Sequence, residues 1–114
     1  MSKISEITIN VELDDENVPQ KLSWKTTDHP DYHEFQEVKC FSLSMFDKSS
    51  KDTMKIDLWT NELQVIEMDR FIYQSIRSLA DTYFKATNNR DLANSMQQFA
   101  EYFAEKTEIT SPQS

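Results

Sequence analysis

The 114-residue chain has about one domain's length, enough for a core that needs neither disulfides nor a structural metal. It contains no glycine, which excludes phosphate-cradling GxGxxG and GxxxxGK loops and the GxSxG nucleophile elbow. Its net charge of −8 repels phosphate backbones, so no nucleic-acid partner is expected.

Residues 1–10 lack the apolar segment of a secretory signal, and Ser2 rules out N-myristoylation. No apolar run approaches the ~20 residues of a membrane span. A cytoplasmic location without direct membrane insertion is the expectation.

Ile7, Ile9, Val11 and Leu13 then alternate with Thr8, Asn10 and Glu12, the period of a half-buried strand. Residues 14–19 break the pattern, and Leu22 and Trp24 mark a second strand. Residues 26–37 show no sustained period and carry four acids without Lys or Arg. They predict the most mobile internal loop.

That loop holds both histidines, His29 and His33, among Asp28, Asp31, Glu34 and Glu37. A helix would bring the two imidazoles to one face, where they could hold a divalent metal. Pro30 lies between them, however, and the helical apolar stripe is missing. Two ordinary histidines in a solvated acidic loop is the favoured reading, and no metal or cofactor is expected.

A second hairpin follows. Phe41, Leu43 and Met45 alternate with Ser42 and Ser44, and Met54, Ile56 and Leu58 with Lys55 and Asp57. With no glycine available, Asp and Asn are expected to supply any positive φ that the turns, including the one at 47–52, require. Cys40 is the sole cysteine, so no intrachain disulfide is possible, and it reads as a small hydrophobe. Ser42 and Ser44 lie on the outer strand face far from either histidine, and Asp57 with Asp81 is a carboxylate pair of no special spacing. No catalytic residue is expected.

Near residue 63 the apolar period changes from 2 to about 3.6. Val65, Met68, Ile72, Ile76, Leu79, Tyr83 and Ala86 form one helical stripe, and Leu92, Met96, Phe99 and Phe103 another. Asn88 or Asn89 can cap the second helix. The expected class is α+β. It consists of a four-stranded antiparallel sheet of two hairpins within residues 4–60, with helices near 64–87 and 89–106 packed on one face. Residues 1–106 would form a single domain and 107–114 a flexible tail. The expected core is Ile9, Val11, Trp24, Leu43, Ile56, Leu58, Ile72, Leu79, Phe99 and Phe103.

One surface draws attention as a partner site. Residues 38–60 carry three acids and four bases, whereas 1–37 and 61–114 are each net negative. Strand alternation places Trp59 opposite Met54, Ile56 and Leu58; if instead the strand ends there, Trp59 folds under the helix start and packs on Val65 or Met68. Lys48, Lys51, Lys55, Asp57 and Trp59 are therefore the candidate partner-binding residues. The alternative function is small-ligand or metal binding by the 26–37 loop.

The stretches Val11-Glu12-Leu13-Asp14, Leu22-Ser23-Trp24, Ile-Asp-Leu-Trp-Thr (56–60), Ser-Leu-Ala-Asp-Thr-Tyr-Phe-Lys-Ala-Thr (78–87) and Phe-Ala-Glu-Tyr-Phe-Ala-Glu-Lys (99–106) resemble the GldC family of gliding-motility proteins of the Bacteroidetes. The resemblance covers about residues 6–108. It implies a non-enzymatic cytoplasmic accessory protein that supports gliding through protein–protein contacts. The implied partner is a gliding lipoprotein or a protein linked to type IX secretion, and the family brings no catalytic residue or cofactor to carry over.

Overall fold

The computed structural model describes residues 2–109, which gather into two compact units, one ending at Leu63 and one beginning at Gln64. The class is α+β, as the change of period implies. The strand count differs: five strands form two antiparallel sheets in place of one four-stranded sheet. The first has the order β1 (Ile7–Leu13), β2 (Pro19–Thr26), β3 (Gln36–Val38), and the second pairs β4 (Cys40–Phe46) with β5 (Thr53–Trp59). A bend at Lys39 separates β3 from β4 and so divides what would be one long strand.

The 26–37 segment is not the structureless loop that its composition suggests. It makes a 3-10 turn at Pro30–Tyr32 and then enters β3. Aromatic contacts account for this. Tyr32 stacks on Trp24, and the Lys25 ammonium sits 4.8 Å from the centre of the Phe35 ring. Those contacts turn the chain back along β2, where Gln36 pairs with Trp24 and Val38 with Leu22.

Both hairpin turns solve the absence of glycine in one way. Asp14 accepts the N–H groups of Glu16 and Val18 at 2.8 and 2.9 Å, while Asn17 takes the left-handed conformation. Asp47 accepts those of Ser49 and Ser50 at 3.0 and 2.8 Å, while Lys51 takes it. Asn tolerates positive φ; Lys does so at a steric cost of about 1 kcal/mol.

In the first unit Leu22 is fully buried, between Val11 on β1 and Val38 on β3. The central strand of a three-stranded sheet is the one covered from both sides, which is why Leu22 outranks its neighbours. Four residues of the expected core are exposed instead: Val11, Ile56, Leu79 and Phe99. The other six are only partly buried.

The second unit is a helical hairpin of α1 (Val65–Thr87) and α2 (Arg90–Thr107). Gln64 opens α1 by donating its N–H to Glu67 at 3.0 Å. Asn88 closes it in the left-handed conformation, and Asn89 starts α2 by accepting the Leu92 N–H at 3.2 Å. The buried residues here are Ala80, Ala93, Ala100, Ala104 and Ile109. Small side chains let two helix backbones approach closely. The seam therefore runs through the alanines, leaving Leu79 60% and Phe99 54% exposed. Of the expected tail at 107–114, residues 110–114 lie outside the described residues. Thr107 completes α2, and the Ile109 N–H donates to Ala104 O at 3.1 Å.

Candidate interaction surface

The β4–β5 register places residues 40, 42, 44 and 46 directly opposite 59, 57, 55 and 53. Cross-strand partners share a face, so one face of this hairpin carries Cys40, Ser42, Ser44, Phe46, Thr53, Lys55, Asp57 and Trp59. The opposite face carries Phe41, Leu43, Met45, Met54, Ile56 and Leu58.

A connected polar network occupies the centre of the first face. The Ser42 hydroxyl donates to Asp57 Oδ1 at 2.5 Å, and the Lys55 ammonium donates to Ser42 Oγ at 2.9 Å and Ser44 Oγ at 3.1 Å. Lys55 Nζ also lies 3.3 Å from Asp57 Oδ1. These bonds to the ionised carboxylate, first from Ser42 and then from Lys55, hold the Asp57 pKa below its ordinary value. The network is solvent-exposed, a setting that favours recognition over acid–base chemistry.

Trp59 stands on this same face, as strand alternation allowed, with 54% of its surface exposed. An exposed Trp beside an ordered charge pair has the make-up of an interface anchor. Lys48 and Lys51 lie in the turn at the other end of the hairpin, outside the network. Of the five expected partner-binding residues, the fold therefore unites Lys55, Asp57 and Trp59 and sets two lysines apart. Phe46, exposed at the turn end of the face, was missed. Extending the Ser42–Ser44 alternation by one step would have found it.

His29 Nδ1 accepts the Asp31 N–H at 3.2 Å and its ring tilts against Tyr32. His33 lines an open 490 Å³ cleft with Glu6, Lys25 and Phe35. Among the described residues, no three His, Cys, Asp or Glu side chains converge as a ligand set. A shallow groove of 600 Å³ runs along the helical hairpin between Ile76, Leu79 and Tyr83 of α1 and Leu92, Met96 and Phe99 of α2.

The sequence profile described as gliding motility-associated protein GldC-like matches residues 19–109, well over half of the chain. The chain belongs to the GldC-like family. That span of the GldC-like match runs from the start of β2 to Ile109 and so includes the whole β4–β5 surface. Neither the curated proteins nor the solved structures contain a match. No helix among the described residues of this GldC-like chain is long and apolar enough to cross a membrane.

Proposed function

We propose that this gliding motility-associated chain is a non-enzymatic accessory protein that works as an adaptor. It captures another component of the gliding machinery on the polar face of the β4–β5 hairpin. The observation carrying this reading is the half-exposed Trp59 on the same strand face as the Lys55–Asp57 network, within the 38–60 stretch that is not net negative. An acidic partner segment meets less repulsion there than elsewhere on a chain of charge −8. Lys48 and Lys51 extend the attraction past the turn. The location that fits is the cytoplasm, and the partner that fits is a gliding lipoprotein or a protein linked to type IX secretion.

The test is affinity capture from solubilised membranes and lysate of a gliding host, with identification of the captured proteins by mass spectrometry. Wild-type protein should retain a gliding component that Trp59→Ala and the Lys48→Glu, Lys51→Glu pair lose, with thermal midpoints unchanged. Equal capture by all three proteins would move the interface elsewhere, the helical groove being the next surface to probe.

A further inference from the structure

Backbone hydrogen bonds define which groups β5 uses within its own hairpin. The bonds from Asp47 N–H to Asp52 O and from Thr60 N–H to Lys39 O bracket the β4–β5 register at its two ends. Bonded and non-bonded pairs alternate along an antiparallel ladder. Counting inward from both brackets, Met54, Ile56 and Leu58 turn their N–H and C=O groups toward β4. Thr53, Lys55, Asp57 and Trp59 turn theirs to the outer edge. β5 pairs with no second strand among the described residues, so this edge is an open ladder.

We infer that β5 pairs with β5 of a second copy, antiparallel, about a two-fold axis at Ile56. A ladder along the open edge forms only when outward-turned residues face one another, which leaves the axis on residues 55, 56 or 57 if the overlap is to be near full length. An axis at 55 sets Lys55 against its own copy, and an axis at 57 does the same to Asp57. Only the axis at 56 sets Lys55 opposite Asp57 of the other chain, and it does so twice by symmetry. Thr53 then faces Trp59 at either end. On the opposite face Ile56 meets Ile56, and Met54 meets Leu58. The segment Thr-Met-Lys-Ile-Asp-Leu-Trp is self-complementary in charge, in polarity and in backbone direction at once.

Charge complementarity is what assigns the occupant. A lysine on an edge strand usually repels a second edge. Here an aspartate two residues further on converts that lysine into half of a matched pair. The edge also lies in the 38–60 stretch that is not net negative, where two acidic copies approach at the least cost. The result is a continuous four-stranded sheet, β4-β5-β5-β4, with doubled polar and apolar faces. Self-pairing joins the β5 backbone edges and leaves the polar face open. Lys55 and Asp57 belong to both surfaces, so self-association is read by sedimentation and partner capture by retention of a gliding component, each independently of the other.

The experiment is sedimentation velocity on the full chain over a wide concentration range up to millimolar. Wild-type protein should dimerise reversibly. Lys55→Asp and Asp57→Lys should each weaken self-association about tenfold or more, because each places like charges opposite one another. Mixing those two variants should restore dimers, since the two carboxylates of the first then face the two ammonium groups of the second. The double exchange should restore them in a single chain, which guards against a variant that merely unfolds. As a second measurement, Ile56→Cys in a Cys40→Ala background should form a disulfide-linked dimer on mild oxidation. Residue 56 faces itself in a non-bonded pair, where Cα atoms about 4.5 Å apart suit a disulfide. Thr53→Cys in the same background should not. A wild-type monomer at every concentration, a dimer indifferent to both charge reversals, or equal cross-linking at 53 and 56 would each overturn the inference.

Discussion

The ring of Tyr32 stacks on that of Trp24 with centroids 5.0 Å apart and planes inclined by 27°. This contact ties an acidic segment without hydrophobic periodicity to the central strand of its sheet, and Gln36–Val38 can pair only after the chain has turned back there. Tyr32→Ala should cost about 1 kcal/mol, within the range of aromatic pairs beyond their area burial. Trp24 emission should shift, and the amides of residues 36–38 should exchange faster. Unchanged exchange would show that β3 forms without the stack.

Leu22 and Leu79 make a controlled comparison, one fully buried and one 60% exposed. Leu22→Ala should cost roughly 2–5 kcal/mol in denaturant unfolding, and Leu79→Ala under about 1 kcal/mol. Conversely Ala100→Leu should cost about 1–3 kcal/mol, because the seam between α1 and α2 has no room for the added methylenes. A neutral Ala100→Leu would remove the alanine seam from the account.

Lys51 holds φ at 61° in the β4–β5 turn. Glycine incurs no steric cost at positive φ, so Lys51→Gly should raise stability by about 0.5–1 kcal/mol despite glycine's greater freedom when unfolded. The equivalent change at Asn17, Asn17→Gly, should do less, since Asn already tolerates the conformation. Thermal or denaturant unfolding of the two variants side by side checks the ranking.

Three carboxylates link stability to acid. Asp14 is held below its ordinary pKa of 3.8 by the Val18 and Glu16 N–H groups, Asp47 by those of Ser50 and Ser49, and Asp57 by Ser42 and Lys55. A depressed folded pKa contributes stability that is complete above the unfolded value and is lost as pH falls through the folded one. Midpoints should therefore decline on acidification below pH 3.8, whereas near neutrality the contribution of these groups is complete and does not vary with pH. Asn substitutions at 14 and 47 keep an acceptor and should flatten that decline. NMR titration of the side chains checks it directly: values at or above 3.8 would contradict the turn geometry.

Local periodicity made much of this protein legible. The side-chain period belongs to the backbone itself, so the change near residue 63 separated strands from helices, and alternation put Lys55, Asp57 and Trp59 on one face. The absence of glycine likewise pointed to aspartate and asparagine for the positive φ of the turns; Asn17 meets that expectation, whereas in the β4–β5 turn Lys51 takes the conformation while Asp47 accepts the turn's N–H groups. What tertiary structure decided was distance. Helical phase marks Leu79 and Phe99 as apolar but is silent on how closely α1 and α2 approach, and close approach selects Ala80, Ala93, Ala100 and Ala104 for the seam. The register that brings Ser42 to Asp57, the bend at Lys39, and the fold-back of Tyr32 onto Trp24 are likewise long-range. Each depends on which surfaces meet, and a pattern read along one strand or helix holds no record of its neighbour.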